Sequence, residues 1–94
     1  MNSEAVERME RITNDMPVPA GGMRFSRVDT PEGEVFYAIG RGLKWHFIYG
    51  IDGPDGAIAC PGTAESSMSR EKIEHDLIVA ARTELAVLNT TCKK

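Results

Sequence analysis

Between residues 43 and 51 the chain alternates strictly: Leu43, Trp45, Phe47, Tyr49 and Ile51 share one side, Lys44, His46, Ile48 and Gly50 the other. Successive side chains of an extended strand point to opposite faces, so a period of two commits this segment to a β-strand. One strand cannot bury such a face alone. It needs neighbours for its backbone and another layer over its rings. Residues 23–30 read as one neighbour, with Met23 and Phe25 out of phase with Val28, which predicts a bulge or an edge. Thr30-Pro31-Glu32-Gly33 has turn chemistry, and residues 34–39 then alternate Val35, Tyr37 and Ile39 on one face. Gly40-Arg41-Gly42 interrupts the chain before the strand over 43–51. Asp52-Gly53-Pro54-Asp55-Gly56 is a tight turn, and residues 57–60 form a short fourth strand closed by Pro61-Gly62. The pattern predicts an antiparallel meander.

Helical periodicity flanks it on both sides. Ser3 suits an N-cap, and Ala5, Val6, Met9, Ile12 and Met16 recur at three- and four-residue spacing over a helix reaching about residue 14. Glu4, Glu7, Arg8, Glu10 and Arg11 lie on its other side, with Glu7 and Arg11 one turn apart. Pro17, Pro19, Gly21 and Gly22 stop it and form a connector or hinge. At the other end Ser69 caps a helix to about residue 88, with Ile73, Leu77, Ala80, Ala81, Leu85 and Leu88 as its apolar stripe and Asn89 at its C-cap. The expected class is α+β, order α-β-β-β-(β)-α, a three- to four-stranded antiparallel sheet with both helices on one face. Residues 1–94 form a single domain: N-terminal helix and linker over 1–22, sheet over 23–60, C-terminal helix over 66–89, tail over 90–94.

Charge narrows the partners. Fourteen acidic and 11 basic residues leave a formal charge of -3, whereas binding driven by phosphate neutralisation goes with a basic excess. A protein partner with a basic groove fits better. No apolar run is long enough to span a bilayer, and MNSEAVERMERI lacks the basic start and apolar centre of a secretory leader, so no membrane role and a cytoplasmic location are expected. Cys60 and Cys92 match no metal or redox spacing and are expected as free thiols.

Constellations with chemical potential are sparse. Glu71 and His75 lie one helical turn apart beside Asp76, but a zinc site needs three or four ligands and only Cys60 and His46 remain to complete one. No metal and no cofactor are expected. Cys60, His46 and Asp52 contain the types of a nucleophile, base and orienter, on neighbouring strands or turns. The setting of Cys60, between Ile58-Ala59 and Pro61, is that of a small buried residue, so catalysis is not the expectation. Trp45, Phe47 and Tyr49 offer rings at alternate positions, as a base-stacking platform does. The helices' apolar stripes need that same face as a floor, and Lys44 is followed by Trp45 where sheet-based RNA binders carry glycine.

An α-β-β-β-α order is similar to that of the double-stranded RNA-binding domain, whose second helix opens on a basic cluster. Here Ser69-Arg70-Glu71-Lys72-Ile73-Glu74-His75-Asp76 sets acids among the bases, and that family's chemistry is not carried over. The function most compatible with the chain is recognition by surface occupation. Glu4, Glu7, Glu10, Glu32, Glu34, Asp52 and Asp55 are the acidic binding candidates toward a basic partner. In size and character the chain resembles phage-encoded inhibitors, including anti-CRISPR proteins that block nucleic-acid-handling complexes. That resemblance is generic and assigns no residues. The alternative is a nucleic-acid-binding or regulatory module using Arg24, Arg27, Arg41 and Lys44, should these align on one exposed face. A third class is a small enzyme or ligand binder around Cys60 and His46. An open hairpin or fourth-strand edge would also suit a homodimer.

Overall fold

The computed structural model describes residues 3–18, 22–54 and 56–91. Of the residues singled out above, Pro19, Gly21, Asp55, Cys92 and the end of the tail lie outside these. The elements are α1 (Glu4–Thr13), β1 (Phe25–Thr30), β2 (Gly33–Arg41), β3 (Trp45–Gly53), β4 (Gly56–Ala64) and α2 (Arg70–Thr91). The strands pair antiparallel in the order β1-β2-β3-β4, an α+β meander as expected.

Ser3 starts α1. Its Oγ accepts the N–H groups of Ala5 and Val6 at 3.1 and 3.4 Å, satisfying donors that a helix start leaves open. The Ser3 hydroxyl in turn donates to Asp52 Oδ2 at 2.8 Å, and Asp52 Oδ1 accepts the Ala5 N–H at 3.2 Å. A carboxylate at the end of β3 thus meets the positive end of the helix dipole and pins α1 to the sheet.

The helices lie on opposite faces of the sheet, not on one. Ala5, Val6 and Met9 of α1 pack with Phe36, Ala38, Ile48 and Ala57. Leu77, Ala81 and Leu85 of α2 pack with Val35, Ile39 and Ile51. Alternate residues of a strand face opposite ways, so the neighbours Val35 and Phe36 report opposite layers. The expectation of a shared face treated Lys44, His46, Ile48 and Gly50 as a solvated side. In the fold that side is buried apart from Lys44: Ile48 is fully enclosed, His46 is buried, and a side chain at Gly50 would meet Met9 Sδ at 2.5 Å. Glycine there lets the helix approach the strand closely. The phase change in β1 has the same origin. Phe25 packs on the α1 side and Val28 on the α2 side, and the register Phe25↔Ala38 to Thr30↔Gly33 runs without a bulge.

Several boundaries differ from the expectation. β1 begins at Phe25, not Met23, and β2 runs on through Gly40 and Arg41, which were expected to interrupt it. Leu43 is fully exposed in the bend before β3, which begins at Trp45. β4 does not stop at Pro61 but pairs with β3 from Gly56 to Ala64, with Pro61 opposite Ile48. Proline is tolerated because β4 is an edge strand, where a missing N–H can point away from the ladder. α2 is capped by Ser69, whose Oγ accepts the Lys72 N–H at 3.2 Å, but it continues through Asn89 and Thr90. Asn89 is no cap: its Nδ2 donates to the Glu32 carbonyl at 3.1 Å. Along α2, Ile73, Leu77, Ala81 and Leu85 are buried, whereas Ala80 is exposed and Ile78 packs instead.

A two-sided core has a measurable signature. Met9→Ala and Leu77→Ala should each lower stability by about 2–5 kcal/mol. Because the sheet separates the two sites, the double variant should lose the sum of the single losses to within about 0.5 kcal/mol in urea denaturation. A coupling well above that would contradict helices on opposite faces.

Candidate functional site

Folding separates the acidic candidates into engaged and free groups. Asp52 is taken up by the start of α1, as described. Glu34 receives Arg27 Nε at 3.2 Å, and Glu4 pairs with Arg8 Nη2 at 3.3 Å. Glu7 pairs with Arg11 only through its backbone, the Glu7 carbonyl accepting Arg11 Nε at 3.5 Å. Among the described residues the carboxylates of Glu7 and Glu10 carry no ion pair and stand exposed on the outer side of α1.

Glu32 has a structural task that no local pattern signals. It sits in the two-residue turn between β1 and β2, which Thr30 closes by accepting the Gly33 N–H at 3.1 Å. Gly33, at φ 146°, holds a conformation that favours glycine. From this turn Glu32 reaches α2, where Arg82 Nε and Nη2 donate to its two oxygens at 2.6 and 3.4 Å, a bidentate pair. The Arg82 hydrogen bonds hold the Glu32 carboxyl below its ordinary pKa, outweighing partial desolvation. With Asn89 on the Glu32 carbonyl, the turn is tied to α2 at two points.

The basic candidates do not share a face. Arg27 lies opposite Phe36 on the α1 side, while Arg41 lies opposite Trp45 on the α2 side. Arg27 is held by Glu34 and, at 3.6 Å, by Asp29. Arg41 stacks over the Trp45 ring at 5.0 Å and donates to the Ser66 carbonyl at 3.0 Å. Arg24 and Lys44 are exposed, one before β1 and the other before β3.

The aromatic row is the floor under α2. Trp45 Nε1 donates to the Met68 carbonyl at 2.9 Å, Phe47 lies against Gly62, and Tyr37 Oη donates to Glu74 at 2.8 Å. Burial, with Glu74 alongside, raises the Tyr37 pKa. Tyr49 is opposite Cys60, and burial first, then the Cys60 thiol and the Glu84 carboxylate, push its hydroxyl far above its usual range. His46 pairs with Gly40 and Thr63 on the other side of the sheet. Cys60 and His46 therefore cannot meet as nucleophile and base. Among the described residues no group of three His, Cys, Asp or Glu side chains is placed to hold a metal ion.

One surface was not singled out by sequence reasoning, the outer side of α2, where Val79 and Val87 are exposed by 46% and 55%. The fourth-strand edge was expected to be open, but not the clefts along its rim. A cleft of about 410 Å³ lies between Ala59 and Arg8, Arg11 and Ile12 of α1. A second, of about 400 Å³, is lined by Met16, Pro17, His46 and Pro61 among others. A third, of about 350 Å³, opens at the far end of the strand on the α2 side, over Phe47, Ala64, Met68 and Ile73. The absence of charge from β4 was visible in the sequence, but its length was not.

Comparison with protein-family models, with curated proteins and with solved structures finds no match. None of the described helices is long and apolar enough to cross a membrane.

Two measurements check this geometry. Because the Glu32 pKa is lowered on folding, its contribution is present above the unfolded carboxyl value and is lost as pH falls through the folded one. Glu32→Gln should therefore lower the melting temperature at pH 7, and the gap from the unmodified chain should close as pH falls below the ordinary carboxylate range. A gap that persists unchanged in acid would contradict the pairing. In a Cys92→Ser background, His46→Ala should leave the alkylation rate of Cys60 within about twofold of its parent, since no imidazole activates the thiol. A larger drop would mean the two residues communicate.

Proposed function

We propose that the protein is a small binding module that acts by occupying the surface of a protein partner. In its most concrete form it is a phage-type inhibitor, of the anti-CRISPR kind, of a host nucleic-acid-handling defence complex. The observation that carries this reading is a pair of neighbouring carboxylates on α1 that folding leaves uncompensated. Of the four basic candidates Arg27 and Arg41 are engaged within the molecule and Arg24 and Lys44 stand exposed, whereas Glu7 and Glu10 face solvent on one helix without an ion pair among the described residues. With a net charge of -3, such a helix face suits a surface built to hold phosphates. Exposed carboxylates on a rigid, capped helix favour encounter with that surface and act mainly on the association rate. Shape and apolar contact then hold the complex.

The reading is tested by capture from lysate of the native host with the tagged chain, using nuclease and salt controls. One stoichiometric protein partner should survive nuclease treatment. The double charge reversal Glu7→Lys/Glu10→Lys should slow its association about tenfold at low salt, with the difference shrinking as salt is added. Recovery of nucleic acid alone would favour the exposed Arg24 and Lys44 instead, and recovery of the bait alone would remove the proposal.

A further inference from the structure

The sheet ends in two unlike edges. β1 carries Arg27 and Asp29, with Arg24 just before it, which is how natural sheets guard an open edge against other strands. β4 reads Gly-Ala-Ile-Ala-Cys-Pro-Gly-Thr-Ala and has no charged residue along its nine positions. Ile58 is its one large aliphatic side chain, and Pro61 and Thr63 stand exposed. In an antiparallel ladder alternate residues turn their N–H and C=O toward the partner strand and the rest turn them outward. Pro61 has no N–H, and its place opposite Ile48 in an uninterrupted register makes it one of the outward residues. Ala57, Ala59 and Thr63 share its parity, but Ala57 is buried against α1. The donors of Ala59 and Thr63 and the carbonyls of Ala59, Pro61 and Thr63 therefore line the open edge of β4.

The clefts beside this edge are arranged as an added strand would require. The two on the α1 side lie at Ala59 and at Pro61, Gly62 and Thr63. The third lies at Thr63 and Ala64, over Phe47 and Ile73 on the α2 side. Alternate side chains of a strand laid along β4 would enter clefts on alternate faces, with its backbone supplying the hydrogen bonds. The charges at the rims differ between the ends. Arg8, Arg11 and Glu4 stand near Ala59, and among the described residues only Arg8 has an acidic partner, Glu4. Asp15, Glu65 and Asp76 stand at the Thr63–Ala64 end, where Lys72 engages Asp76 alone.

We propose that the β4 edge is a strand-addition site for an extended segment of a partner protein, antiparallel to β4. That segment carries large apolar side chains at alternating positions, a basic residue toward its N-terminal end and an acidic one toward its C-terminal end. The polarity follows because the N-terminus of an antiparallel strand meets the acidic end of β4. A second copy of this chain is a poorer occupant. To the clefts on the α1 side its own β4 offers Ala57, Ala59, Pro61 and Thr63, too small for volumes of about 400–410 Å³. The proposal rests on the surface-occupation reading and names the surface and the mode.

The test uses the full chain and a phage-displayed library of random peptides as long as β4, nine residues. The expected result is enrichment of peptides with alternating apolar residues, basic at the start and acidic at the end. A synthetic copy should bind about tenfold more weakly to Ala59→Pro, which removes one outward donor, and equally well to Val79→Glu on α2. On the unmodified chain, the same peptide should slow amide exchange at Ala59 and Thr63 about tenfold, a readout that does not depend on how the variant folds. Enrichment of no peptide, or binding that spares these amides and ignores Ala59→Pro, would overturn the proposal. So would protection of the same amides by raised protein concentration alone, which assigns the edge to a second copy. Lysate capture that is equal for the unmodified chain and Ala59→Pro overturns the edge site while leaving surface occupation standing. Peptide binding at the edge without any captured partner overturns the inhibitor reading instead.

Discussion

β2 and β3 are apolar on both faces, and that requirement organises the rest of the molecule. Val35 and Phe36 are adjacent and both buried, as are Ala38 and Ile39. In β3, Ile48 and Ile51 are fully enclosed on opposite sides. A strand of this kind cannot leave one side to water, because each large aliphatic or aromatic side chain gains about 1.5–3 kcal/mol from burial. Two covering layers are needed, and a chain of 94 residues has two helices to supply them. The short α1 covers the inner face over β3 and β4, and the longer α2 covers the aromatic face over β2 and β3. Each helix is then tied to a turn or strand end by a carboxylate: Asp52 holds the start of α1, and Glu32 holds α2 through Arg82.

Much of this was legible in the sequence because its signals are local. The Ser3 and Ser69 caps, the stripe Ile73, Leu77, Ala81 and Leu85, and the alternation of β3 each follow from spacing alone. The choice between one covered face and two was also written in the chain, in its glycines. Gly50 lies within β3 on what looked like a polar side, and Gly40, read as an interruption, lies near the end of β2; a side chain at either would collide with Met9 or Met23. Glycine inside a strand marks close approach of another element, and here it marks the α1 side. Lys44 and His46 obscured that signal, since Lys44 falls in a bend and His46 is buried.

What local reasoning missed depends on partners distant in sequence or on position within the sheet. Glu32 and Arg82 are 50 residues apart, and nothing near either one announces the pair. Asn89 has the composition of a helix stop, yet its amide is recruited by the Glu32 carbonyl and the helix continues. Pro61 ends a central strand but not an edge strand, so its effect could not be fixed before the order of strands was known. For the candidate site the outcome was similar. The residue types were identified, but whether an acid is free or engaged depends on which cation the fold brings to it.

That dependence ties stability to recognition in a protein this small. Asp52, Glu32 and Glu34 serve the fold, and so do Arg27, Arg41 and Arg82. A partner that competed for them would have to loosen α1, the first turn or α2 in order to bind. Groups that can meet a partner without that cost are those the fold does not use: the carboxylates of Glu7 and Glu10, the outward backbone of β4 and the clefts on either side of it. They lie on the helix and the strand that pack against each other, α1 and β4. A single approaching surface could therefore be steered by the helix and held by the strand.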